Sequence, residues 1–125
     1  MHKVKWGIIG SGNIAHAFAH SIQHCQDSEL VSIFGRNLET TNQFSTKFQI
    51  KPFSNLDDFI SSDVIDAVYI ATPHNSHYFY SLEAIKNNKH VLCEKPLTMN
   101  YLESMTLLNL AKEAEVFLME AYMYR

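Results

Sequence analysis

Residues 4–15 read VKWGIIGSGNIA. Apolar residues dominate as far as Ile9, the chain turns through Gly10, Ser11 and Gly12, and a helical pattern starts by Ile14. A buried strand, a glycine turn and a helix, in that order, build the corner of a dinucleotide fold that cradles a pyrophosphate. Gly10 suits backbone angles closed to other residues, and Gly12 lets the main chain come close to a phosphate. Ala15 stands where the motif has its third glycine, and keeps the helix near the strand. The start of that helix offers unpaired N–H groups and a partial positive charge to an anion.

Outward from this corner the chain alternates. After the strand at 4–9, Ile14, Ala15, Phe18, Ala19 and Ile22 fall on one face of a helix over 13–24. Residues 29–34, ELVSIF, predict a second strand broken by Gly35. Asn37 is placed to cap a helix through Thr41, Phe44 and Phe48, and 51–53 predict a short third strand. Asn55 opens a small helix with Leu56, Phe59 and Ile60 inward. The run DAVYIA at 66–71 reads as a strand buried on both faces, ended by Thr72 and Pro73. A helix over 76–86, a strand over 89–93, a helix from Asn100 to about Ala114 and a strand over 116–119 complete the pattern. Strands and helices alternating at this spacing imply right-handed crossovers and an α/β, doubly wound parallel sheet of the Rossmann type. Ligands then sit at the carboxyl ends of the strands, where 10–15, 35–37, 72–77, 94–96 and the chain from 120 onward meet.

Composition narrows the class. The chain has 125 residues, 46% hydrophobic and 18% charged, which suits one ordered domain with a substantial core. Its formal net charge is −3 and it has no run of Lys or Arg, so a nucleic-acid partner has no electrostatic footprint. No apolar stretch approaches the ~20 residues of a membrane span, and the start MHKVKWG lacks a signal-peptide core. A cytoplasmic protein without a membrane partner is expected. Cys25 and Cys93 share no redox or metal spacing, and are expected to be reduced and buried. His16, His20 and His24 follow one another at helical spacing without an intervening carboxylate base, which reads as a polar face, and no metal is expected.

The residue after Gly35 bears on the cofactor. A dinucleotide fold commonly carries an acidic residue about 20 positions past the glycine motif, where it binds the ribose hydroxyls. Here that position is Gly35, followed by Arg36. A carboxylate would repel a 2′-phosphate, whereas a guanidinium grips one with paired charged hydrogen bonds. NADP(H) is therefore preferred, with NAD(H) possible, and S-adenosylmethionine is disfavoured by the same missing carboxylate.

Three more segments carry a resemblance: ATPHNSH at 71–77, CEKP at 93–96 and FLMEA at 117–121. With the glycine turn, they resemble the N-terminal half of the Gfo/Idh/MocA oxidoreductases over essentially the whole chain. The pairing of LCEKP with FLMEA is most similar to the dimeric dihydrodiol dehydrogenase branch, also described as D-xylose dehydrogenases. The resemblance implies that Gly10, Ser11, Gly12, Asn13 and Ile14 hold the pyrophosphate, and that Arg36, beside Gly35, holds the adenosine phosphate. It implies that Thr72 and His77 line the cofactor near its ribose and nicotinamide, and that Glu94 lies against the nicotinamide. Lys95 matches the catalytic lysine, with a cis Lys95–Pro96 bond aiming its amine into the site.

The residues themselves agree on Lys95. At a strand's carboxyl end it points toward the crevice, and hydride transfer at an alcohol carbon needs a group that moves the hydroxyl proton and steadies the developing oxyanion. The expected reaction is hydride transfer between NADP(H) and a sugar or diol hydroxyl or carbonyl. The alternative is a non-catalytic NAD(P)-binding module. Residues 1–119 are expected to form the dinucleotide-binding domain, and 120–125 the start of a connection to a second, substrate-binding domain that the resemblance implies. Homo-oligomers are expected, with self-association through Tyr122, Met123 and Tyr124.

Overall fold

The computed structural model describes residues 3–121. Six strands form one sheet: β1 (Val4–Ile9), β2 (Ser28–Phe34), β3 (Lys51–Phe53), β4 (Ala67–Ile70), β5 (His90–Glu94) and β6 (Leu118–Ala121). Their order is β3-β2-β1-β4-β5-β6, and every pair is parallel. This is the doubly wound Rossmann arrangement, with its order reversing between β1 and β4. Five helices connect the strands: α1 (Asn13–Ile22), α2 (Leu38–Phe48), α3 (Leu56–Ile60), α4 (His77–Lys86) and α5 (Tyr101–Ala114).

Period-two alternation divides the core between the two sheet faces. Ile8, Ile33 and Tyr69 point to one face, where they meet Ala15 and Ala19 of α1 and Phe44 of α2. Ile9, Phe34, Ile70 and Cys93 point to the other, against Phe59, Tyr80, Ala84, Leu107 and Ala111. Burying Phe44 and Phe59 fully contributes about 1.5–3 kcal/mol each. Because β4 is buried along its whole length, it reads as a continuous apolar run. Asn37, Asn55 and Asn100 cap α2, α3 and α5 as their positions imply, each side chain accepting from the backbone N–H three residues on.

Several expectations change. Ile14 is not on the buried face of α1; it is 46% exposed, while Ala15 beside it in the same turn is fully buried, so the inward face of the helix starts at Ala15. The last strand lies further along than expected and takes in Glu120 and Ala121. Glu115 adopts a left-handed conformation (φ 58°) that closes α5, and Val116 N–H bonds back to the Ala111 carbonyl, so Val116 belongs to the helix end. Of the two cysteines, Cys93 is buried but Cys25 is exposed. Residues 122–125, including the Tyr122–Tyr124 stretch expected to associate, lie outside the described residues. Among the described residues, no helix is long and apolar enough to cross a membrane.

Candidate dinucleotide-binding site

Where the strand order reverses, the carboxyl ends of β1 and β4 part around a crevice of about 260 Å³. Gly10, Ser11 and Gly12 form one wall, Phe34, Gly35 and Arg36 a second, and Thr72, Pro73 and Tyr80 a third. Open α/β sheets bind their ligands at this point.

The glycine turn has the geometry that a phosphate requires. Gly10 has φ +116°, and a Cβ there would stand 2.6 Å from the Ala71 carbonyl oxygen. A Cβ on Gly12 would meet no atom within 4 Å, so the main chain borders open space there. Gly12 is also the N-cap of α1 and supplies no side-chain acceptor, and the first turn holds no acidic residue. The leading N–H groups of α1 are thus left for an anion, which the helix dipole favours. The donor set fits a pyrophosphate.

Arg36 follows the carboxyl end of β2 and is exposed at the crevice. Burial raises the phenol pKa of Tyr80, and the Arg36 cation opposes that rise, so the two face each other electrostatically. Ser11 Oγ donates to Thr40 Oγ1 at 3.1 Å, which ties the glycine turn to the first turn of α2. Gly35 is required by close approach, since a Cβ there would fall 2.2 Å from Thr41 Oγ1.

Glu94 and Lys95 stand one strand further along the same sheet end. Glu94, the last residue of β5, is buried, and its carboxylate accepts a hydrogen bond from the Tyr69 hydroxyl. Burial, and then Glu94, push the Tyr69 phenol above the ordinary tyrosine range. Lys95 is exposed, the Lys95–Pro96 bond is cis, and no described residue bonds its amine. Thr72 borders the crevice and its hydroxyl lies 2.7 Å from Ser76 Oγ.

His77 is placed differently from its neighbours in the motif. It is 1% exposed and both ring nitrogens meet backbone carbonyl oxygens, so it reaches the crevice only through the atoms it holds. The fold therefore gathers Gly10, Ser11, Gly12, Gly35, Arg36 and Thr72 around one crevice. Asn13 and Ile14 open the helix beside it, Glu94 ends β5 and Lys95 follows it. Tyr69 escaped the sequence reading; only the pairing of β4 with β5 brings it to Glu94. Along α1, His16 Nδ1 lies 3.0 Å from the Gly12 carbonyl and its ring meets Phe44, while the His20 ring packs on Phe48.

The model of an oxidoreductase family with an NAD-binding Rossmann fold, Gfo/Idh/MocA, matches residues 4–122. This chain belongs to the Gfo/Idh/MocA family. Among its relatives, scyllo-inositol 2-dehydrogenase (NADP(+)) IolU of Bacillus subtilis is 35% identical over 119 residues, covering 94% of this chain and 36% of that protein. Trans-1,2-dihydrobenzene-1,2-diol dehydrogenase of Xenopus tropicalis is 35% identical over 124 residues, 97% of this chain and 38% of that protein. Biliverdin reductase from Synechocystis, in complex with biliverdin and NADP+, superposes with a TM-score of 0.88 at 32% identity over 94% of this chain and 37% of that one. The chain thus spans little more than a third of the length of these three proteins. It corresponds to their NAD(P)-binding domain.

Proposed function

We propose that this domain binds NADP(H) in preference to NAD(H) and serves a dehydrogenase acting on a sugar or diol hydroxyl or carbonyl. The observation that carries the cofactor reading is Arg36 on the same crevice as the uncapped start of α1. The amides after Gly10 hold the pyrophosphate, the Arg36 guanidinium pairs with the 2′-phosphate, and Thr72 borders the ribose. A bound nicotinamide supplies the hydride acceptor or donor. Lys95, whose amine no other described residue bonds, sits beside the cofactor's reactive end, moves the substrate's hydroxyl proton and steadies the oxyanion. The sugar and diol class draws on the relatives' names, two of which are an inositol and a dihydrodiol dehydrogenase.

Calorimetry with NADP+ and NAD+ tests the cofactor reading. Wild type is expected to favour NADP+, and Arg36→Ala to weaken NADP+ roughly 10–100-fold while moving NAD+ little, the size of a lost charged hydrogen-bond pair. Equal affinity for the two cofactors in wild type would overturn it. A non-catalytic NAD(P)-binding module is the second reading. NADP+ reduction with a panel of sugars and diols, falling about 100-fold or more in Lys95→Ala, supports catalysis; no turnover supports the module.

A further inference from the structure

One peptide group, joining Pro96 to Leu97, is held at both of its polar edges. Its carbonyl oxygen lies 2.7 Å from His77 Nδ1, and its N–H donates to Glu120 Oε2 at 2.7 Å. The other nitrogen of His77, Nε2, lies 2.9 Å from the Thr72 carbonyl oxygen. The turn after β4, the turn after β5 and strand β6 therefore converge on the peptide that immediately follows Lys95–Pro96. Glu120 belongs to the FLMEA segment, which has no part in the cofactor reading above.

The chemistry of this arrangement favours one orientation of that peptide. Both partners of His77 are carbonyl oxygens, which only accept. At each of them the imidazole can bond only by donating a ring N–H. A carboxylate accepting a backbone N–H makes a charge-assisted bond, stronger than a neutral one. The peptide dipole then lies with its N–H toward the carboxylate and its C=O toward the ring, and turning it over would lose both bonds. The ring is fully enclosed, so water offers its nitrogens no substitute.

The strands do not need these bonds to pair. Main-chain ladders already join β4 to β5 and β5 to β6. What the side chains add is fixation of one turn, whose lysine has no partner among the described residues.

We propose that His77 and Glu120 are positioning residues, which grip the Pro96–Leu97 peptide from opposite sides and thereby set the direction of the Lys95 amine relative to the cofactor. His77 also couples that turn to the crevice wall at Thr72. The assignment rests on the reading of Lys95 above. It places His77 behind the cofactor wall, acting through backbone atoms.

The test follows three quantities in wild type, Glu120→Ala, Glu120→Gln, His77→Phe and His77→Asn. They are Leu97 amide exchange by NMR, acylation of Lys95 by a succinimidyl ester with and without NADP+, and NADP+ affinity by calorimetry. In wild type, NADP+ is expected to shield Lys95. Glu120→Ala should exchange the Leu97 amide at least about tenfold faster, as for a lost hydrogen bond, and should lose the shielding. Its NADP+ affinity should stay within about threefold of wild type, because the glycine turn and Arg36 are untouched. Glu120→Gln keeps an acceptor, and His77→Asn a donor where Nδ1 stood, so both should recover most of the shielding that Glu120→Ala and His77→Phe lose. Glu120 is only partly buried and its loss leaves no cavity in the core, so the decision rests on Glu120→Ala. Fast Leu97 exchange with wild-type shielding would show a purely structural contact and overturn the proposal, as would unchanged Leu97 exchange. If wild type itself bound no NADP+, or Lys95 reacted equally with and without it, the site reading would fall and take the proposal with it; that failure is seen in wild type, before any variant.

Discussion

The Tyr69 hydroxyl donates to the Glu94 carboxylate, so the residue that opens the E-K-P turn is anchored on the α1 face of the sheet. Tyr69 is buried there, its ring stacked on Phe18 of α1 with centroids 4.1 Å apart. Parallel pairing sets Tyr69 beside Leu92, and Glu94, two residues further along, returns to the same face. One residue later Lys95 emerges into the open. A buried anchor followed at once by an exposed amine gives the lysine a defined point of departure.

Removing that anchor should be felt in stability. Tyr69→Phe preserves the ring stack but leaves a buried carboxylate without its donor, which costs about 1–3 kcal/mol. Urea unfolding would read this as a lower midpoint with an unchanged slope. An unchanged midpoint would mean that the carboxylate finds an equivalent donor elsewhere.

The two glycines of the turn should fail in different ways. Gly10→Ala puts a Cβ 2.6 Å from a backbone oxygen at φ +116°, and is expected to destabilise the domain by about 1–3 kcal/mol or more. Gly12→Ala meets no atom within 4 Å, so the domain should melt near the wild-type temperature. Its methyl group would occupy the approach of the phosphate, and NADP+ affinity should drop about tenfold or more. Thermal melts alongside calorimetry separate the two. A Gly12→Ala protein that binds NADP+ as well as wild type would place the pyrophosphate elsewhere.

Cysteine reactivity should split by burial. Iodoacetamide is expected to modify exposed Cys25 in the native protein and to reach Cys93 only on unfolding. Mass spectrometry of the labelled peptides checks this, and rapid native labelling of Cys93 would show that the core opens locally.

Alkaline pH should weaken the fold through the same thiol. Burial pushes the Cys93 thiol from 9.0 up to about 12. Below pH 9 the thiol is protonated in both states, so its contribution to stability is fully present. Between about pH 9 and 12 the unfolded chain releases the proton and the folded protein does not. Stability then falls by up to about 1.4 kcal/mol per pH unit. Tyr69, also raised by burial, adds to the loss above pH 10. Urea midpoints of wild type and Cys93→Ala across pH 8–10 test the sign: wild type should fall more steeply, and parallel curves would refute it.

The reach of the sequence ends where contacts leave the local chain. The glycine turn, the three asparagine caps, the buried β4 run and the place of Arg36 one residue past Gly35 all depend on neighbours within a few positions, and each stands as read. Those signals also pointed to a parallel, doubly wound sheet, because alternating elements with right-handed crossovers leave few ways to wind one, while the order of its strands came from the structure. The exposure of Ile14, the burial of His77, the bond between Tyr69 and Glu94, and the reach of Glu120 to Leu97 were settled by the tertiary structure alone. The two hydrogen bonds span 25 and 23 residues, and their partners meet only once the register of β4, β5 and β6 has been set. Register is chosen by the packing of both sheet faces at once, a property of the whole core that no short stretch of sequence contains.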